Sequence, residues 1–306
     1  MQATIKSKVT FTGVGLHSGK TVRMVVRPAV MEHGIWFRRT DVTEGDTMVP
    51  ALWNVVERVP LCTRLVNADG VSVSTVEHLM AALAGCGVRN ALVELDGPEV
   101  PILDGSSAPF VRAILAAGVR PQDAPSRAIE ILKPVEVRDG DAVARLEPSS
   151  GFRMQFDIAF ADAAIGTQSR DMNLANGAFV HELCDSRTFC RKADVDGMRA
   201  QGLALGGTYE NAVVVDGADI LSPGGLRHGD EAVRHKMLDA VGDLALAGAP
   251  ILGRYVGHKA GHALTNTLLR ALFAQPDAFR MIECDAAMAA CLPGAGLTRA
   301  DAVAVM

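Results

Sequence analysis

Residues Glu231 to Gly248, EAVRHKMLDAVGDLALAG, decide how the rest of the chain is read. Wound at 100° per residue, the segment gathers Val233, Met237, Leu238, Val241, Leu244 and Ala245 on one side. His235, Asp239 and Asp243 climb the other side as a single stripe, with Lys236 at its edge. Side chains one helical turn apart have Cβ atoms about 6 Å apart, so an imidazole and a carboxylate at this spacing can reach one metal ion. The solvated face of an ordinary amphipathic helix shows the same stripe. The helix alone does not separate these readings, and other segments must do so.

The chain of 306 residues is long enough for two domains with cores of their own. Hydrophobic residues at 49% and charged residues at 21% describe a globular chain and not a disordered one. A formal charge of -5 argues against a nucleic-acid partner, which needs a basic face. Cys62, Cys86, Cys184, Cys190, Cys284 and Cys291 form no C-x-x-C pair. That spacing suits neither a zinc knuckle nor a disulfide framework and points to a reducing compartment. The start, MQATIKSKVTFTG, alternates without an apolar h-region, so it reads as a strand and not a signal peptide. No run approaches the roughly 18 apolar residues of a membrane span. The expectation is a cytoplasmic protein with no membrane span.

Ala3–Phe11 and Thr21–Arg27 alternate as the strands of a hairpin around TGVGLHSG (Thr12–Gly19). These glycines precede a strand and lack a Gly-Lys-Ser/Thr ending, so turn chemistry explains them better than a phosphate loop. Further strands are expected at Gly34–Arg38, Leu61–Val66 and Asn90–Leu95, and a helix at Ala108–Ala117. Another helix opens at Ser74-Thr75-Val76-Glu77-His78 and runs to Gly85. Ser74 with Glu77 three residues on fits a capping box. Val76, Leu79, Met80 and Leu83 supply its buried stripe, leaving Glu77 and His78 adjacent on the polar side of the first turn.

Gly118–Ser126 reads as a linker, after which strands recur at Ala128–Val137, Ala142–Leu146 and Phe152–Phe160. Strands then helices, twice over, give an α+β chain of two similar layered halves, 1–125 and 126–306. The second half carries an insert at about Arg191–Asp216, with a Gly-rich turn and an apolar strand at Asn211–Val215. A strand near Ile251–Val256 and a helix opening at Ala260–Asn266 follow the organising helix.

His78, His235 and Asp239 make a candidate ligand set of two nitrogens and one carboxylate. Catalytic zinc sites use three such protein ligands and leave the fourth position to water, whose pKa the metal lowers to near 7. Glu77 is a candidate general base for that water, although capping alone would also account for it. His262, as an imidazolium, could stabilise an oxyanion and protonate a leaving amine, with Asp243 holding its charge in place. Lys236 either neutralises an anion or is a solvated surface lysine.

Three segments, TVEHLMAALAG (Thr75–Gly85), HKMLDAVGDL (His235–Leu244) and GHALTN (Gly261–Asn266), closely resemble the UDP-3-O-acyl-N-acetylglucosamine deacetylase family. GVGLHSG (Gly13–Gly19), LCT (Leu61–Thr63), PILDGSSAPF (Pro101–Phe110), SRTF (Ser186–Phe189) and LALGG (Leu203–Gly207) fit as well, in one order from Thr12 to Leu268. The resemblance implies a zinc amidase that removes an N-acetyl group in the committed step of lipid A synthesis. It implies zinc on His78, His235 and Asp239, Glu77 as general base, and His262 paired with Asp243 as general acid or oxyanion stabiliser. Thr188 then binds the oxyanion, Phe189 lines the substrate site and Lys236 meets the nucleotide-sugar end. Leu16 and His17 of the GVGLHSG loop are carried over as substrate-binding residues. The implied fold is two α+β domains with the active site between them, and the insert forms an apolar passage for the acyl chain. Cys190 departs from the pattern, where a glycine is more usual, and no residue is carried over from Thr40–Val59. The N/O donor set suits ferrous iron as well as zinc. The implied partner is the acylated UDP-sugar, reached through the passage and transient membrane-surface contact. A different zinc hydrolase or a non-catalytic binding module are the competing readings; no H-E-x-x-H helix supports a peptidase.

Overall fold

The computed structural model describes residues 1–305. In the first half a five-stranded sheet runs in the order Val9–Val14, Thr21–Pro28, Ala91–Leu95, Ile35–Arg39 and Met48–Pro50. Neighbours are antiparallel except Ile35–Arg39, which runs parallel to Ala91–Leu95. Alternation sets the faces: Val22 and Met24 are buried, while Thr21 and Arg23 between and beside them are exposed. Two helices belong to this half, α1 (Glu77–Gly85) and α2 (Ala108–Ala117). Helix α2 docks on the sheet through Phe110, edge-on to Phe11 with ring centroids 5.0 Å apart.

The second half is built on Ile251–His258, the central strand of a seven-stranded sheet. It runs antiparallel to Ala142–Glu147 and parallel to Phe152–Ala159 and Arg127–Ile131. The three longest helices of this half are α3 (Lys192–Ala200), α4 (Glu231–Ala245) and α5 (His262–Phe273). The fold is α+β, as the sequence pattern implies. In the insert, Phe189–Arg191 pairs in parallel with Val213–Asp216, and α3 makes the crossover between them.

Several strands differ from their sequence-based bounds. Ala3–Phe11 divides into Ala3–Ile5 and Val9–Val14, which join different sheets. Ala3–Ile5 pairs with Val119–Pro121, so the expected linker contains a strand. Ala128–Val137 breaks into Arg127–Ile131 and Val135–Asp139, because Pro134 has no N–H to donate to a ladder. Thr167–Asn173 pairs with Phe152–Ala159 at the margin of the sheet. Its one fully buried residue, Met172, leaves no apolar alternation to read.

Buried apolar residues of both sheets and of α1, α2, α4 and α5 join in one continuous cluster. Helix α1 is buried along nearly its whole length and lies against α4. Gly242 permits that contact, since a Cβ there would stand 2.0 Å from the Glu77 carbonyl oxygen. At the start of α4, Arg187 and Glu231 form a buried ion pair, with Nε donating to Oε1 at 2.9 Å and a second guanidinium nitrogen to Oε2 at 3.1 Å. The pair ties the Ser186–Phe189 segment to α4. Gly242→Ala is expected to force the helices apart and cost about 1–3 kcal/mol in urea unfolding. An unchanged midpoint would show that the crossing has room for a methyl group.

Candidate metal centre

Helix α1 begins after a sharp turn. Thr75 adopts φ 57°, a left-handed conformation uncommon for a β-branched residue, and its hydroxyl donates to Glu99 at 2.8 Å. Glu99 also accepts the N–H groups of His17 and Ser18, each at 2.8 Å. The capping box does not form. Ser74 is held by backbone bonds to Pro98 and Val100, and the residue preceding the helix, Val76, caps nothing with its side chain. Glu77 accepts the Thr63 N–H at 3.0 Å instead. Glu77 and His78 are buried, as are His235, Asp239 and Asp243 on α4, so the stripe is not a solvated face.

His78, His235 and Asp239 come together across the two helices. Asp239 Oδ1 lies 3.5 Å from His78 Nε2 and 3.3 Å from His235 Nε2, and the three ligand atoms all fall within 4.8 Å of one another. That oxygen is buried and lacks a hydrogen-bond partner among the described residues. His235 Nδ1 donates to the Ser186 carbonyl at 3.0 Å, which turns the Nε2 lone pair toward the cluster. Burial lowers the His235 pKa to about 4 and keeps the ring neutral, as a ligand must be. Burial opposes ionisation of Asp239, yet its positive surroundings hold the carboxyl well below the usual range. Ligands bound at about 2.0–2.1 Å around a tetrahedral ion stand about 3.3–3.4 Å from one another, close to the spacing seen here. The residues present fit a divalent metal.

A second chain of contacts runs beside the cluster. His262 Nδ1 donates to Asp243 Oδ2 at 2.9 Å, and the Thr63 hydroxyl donates to Asp243 Oδ1 at 2.5 Å. Thr63 thus holds Glu77 with its N–H and Asp243 with its hydroxyl. Burial alone would lower the His262 pKa, but Asp243 and Asp239 outweigh it and raise it to about 9. Burial raises the Glu77 carboxyl, with His262 and His78 opposing. Lys236 is not a free surface lysine, for its ammonium donates to Asp239 Oδ2 at 2.9 Å.

The remaining expected residues lie on segments around this centre. Thr188 donates its N–H to the Gly105 carbonyl and accepts from the Val213 N–H through its own. The Phe189 ring stands edge-on to His235 with centroids 6.2 Å apart. Leu16 and His17 sit on a loop held to the insert, their carbonyls accepting from Gly206 and Leu205. His17 Nδ1 accepts from the Ala204 N–H at 3.3 Å, and its buried Nε2 has no partner. Thr63, Ser186 and Glu99 escaped sequence reasoning. Thr63 and Ser186 fall inside quoted segments, but they act partly through backbone N–H and C=O groups that every residue has.

A buried two-histidine, one-carboxylate cluster with an adjacent acid–base pair has the make-up of a metal-dependent hydrolase. Residues 2–274 match the family described as LpxC: UDP-3-O-acyl N-acetylglycosamine deacetylase. The UDP-3-O-acyl-N-acetylglucosamine deacetylase of Phenylobacterium zucineum is 54% identical over 280 residues, covering 92% of this chain and 96% of that protein. The protein of the same name from Shewanella oneidensis is 46% identical over 299 residues, covering 96% of this chain and 97% of its own. The chain belongs to this deacetylase family. Asp243→Asn removes the charge that raises His262, so the imidazole of the metal-free protein, titrating near pH 9, should fall by about one unit or more. NMR titration of the ring checks this, and an unmoved midpoint would detach Asp243 from that role.

Proposed function

We propose that this chain hydrolyses the acetamide of UDP-3-O-(3-hydroxyacyl)-N-acetylglucosamine to acetate and the free amine, the committed step of lipid A synthesis. His78, His235 and Asp239 hold zinc in this reading, and ferrous iron suits the same donors. The unpaired Asp239 Oδ1 facing two imidazole nitrogens, in a chain of this family, is the observation that carries it. When bound, zinc supplies Lewis acidity that polarises the acetamide carbonyl and acidifies water at neutral pH.

Glu77 takes the proton of the attacking water, and its burial moves its carboxyl toward the range in which a base works at neutral pH. As oxygen adds to the carbonyl carbon, the Thr188 hydroxyl and the His262 imidazolium donate to the developing oxyanion. The C–N bond then breaks, and His262 gives its proton to the leaving amine. Asp243 keeps His262 protonated until that moment, and Thr63 keeps Asp243 and Glu77 in register. Lys236 meets the nucleotide-sugar end, Phe189 lines the substrate site, and Leu16 and His17 bind substrate beside the insert. The insert provides the passage for the acyl chain. Among the described residues no helix is long and apolar enough to cross a membrane, and the substrate is met by transient surface contact. Six free cysteines support a cytoplasmic setting, and the net charge of -5 argues against a nucleic-acid partner.

Acetate release from this substrate should stop with a chelator and return with zinc. Release untouched by an effective chelator would overturn the metal assignment, and no release from folded, zinc-loaded protein would favour another amide substrate or a binding module. Glu77→Gln should retain metal and lose about 10²–10⁴-fold in rate, whereas His78→Ala should lose metal and activity together. The pH profile should be bell-shaped. Activity falls on the acid side as Glu77 is protonated and on the alkaline side as His262, raised by Asp243, loses its proton.

A further inference from the structure

Where the C-terminal parts of α1 and α4 meet the two sheets lies a cavity of about 140 Å³. Met80 and Leu83 of α1 and Val241 and Leu244 of α4 line it, closed in by Trp36 and Phe152. None of the residues assigned to the metal centre reaches it. Among the lining residues there is no carboxylate, and the ionisable ones are Arg89 and His33. The Arg89 guanidinium has neither a hydrogen bond nor an ion pair with any described residue. Burial brings its pKa down to about 10, and the Cys284 thiol is the other group acting on it. Arg89 is half-buried, and a guanidinium without a counter-ion among the described residues, lining an apolar void, offers a charge-assisted partner to an anion placed there.

Void and charge together specify a ligand with an apolar body and an anionic end. An apolar cavity of about 150 Å³ accommodates a benzene ring, which sets the size at six to eight carbons, roughly. We propose that this cavity binds an aliphatic monocarboxylate of that length, with its carboxylate on Arg89 and its chain among Met80, Leu83, Leu244 and Phe152. An amine would meet Arg89 with like charge. The site is separate from the proposed acyl passage beside the insert and does not depend on the reading of the metal centre.

Calorimetric titration of the zinc-loaded full chain with octanoate tests the proposal, with octan-1-ol and octylammonium as controls. Octanoate should bind and octylammonium should not. Arg89→Met, which keeps the side chain's length but removes its charge, should weaken octanoate at least about tenfold, as expected for a lost charge-assisted pair. Ala245→Phe should fill the void and abolish binding. Both variants should release acetate at the wild-type rate. No octanoate binding by wild type at millimolar concentration would overturn the proposal. Equal binding by wild type and both variants would also overturn it, because it would place octanoate elsewhere, such as the acyl passage. Should Ala245→Phe fail to fold, Arg89→Met decides alone.

Discussion

The close approach of α1 to α4 at Gly242 is the constraint on which the rest of the structure depends. Helices that pack through side chains normally keep their axes 8–10 Å apart. Here the backbone of Glu77 presses on a position with no side chain. One residue of the candidate metal centre stands on α1 and two on α4, so their meeting requires that short separation. A wider crossing would leave His78 apart from His235 and Asp239. Glu77 and Asp243, also on opposite helices, share Thr63 for the same reason.

Burying so many polar groups is unfavourable unless each finds a partner. Most do. His235 rests on Ser186, Lys236 on Asp239, His262 on Asp243 and Glu231 on Arg187. Glu99 binds the start of α1 to the His17–Ser18 loop. Against this background the unsatisfied atoms stand out. Among the described residues Asp239 Oδ1, Ser186 Oγ and His17 Nε2 are three of those without partners, the first in the candidate metal centre and the last on the loop beside the insert.

The sequence made the stripe on α4 legible because a four-residue spacing dictates a common face. It did not say whether that face meets water or protein, since periodicity encodes direction and not environment. The long ordered motifs removed that ambiguity for His78, His235 and Asp239, which the structure brings together. Ser74 and Glu77 misled for a definable reason. The spacing suited a cap, but the left-handed turn at Thr75 delays the helix start and frees Glu77 to accept from Thr63. The strand inside the linker segment was not legible, because its three residues rely on pairing with a distant segment, Ala3–Ile5, and leave no periodic trace. Thr63 was quoted within its motif, yet nothing in a threonine's identity announces that it will join two carboxylates.

The continuous apolar cluster beneath both sheets has a kinetic and entropic meaning. Opening a hinge between the halves would expose interior surface of a kind that normally stays covered until the chain unfolds. Helix α3, by contrast, has no buried residue and hangs on the insert alone. Local opening of this insert would therefore expose far less apolar surface than any separation of the halves. The groups of the candidate metal centre are ordered when the chain folds, so an encounter with substrate would spend little of its affinity on arranging them.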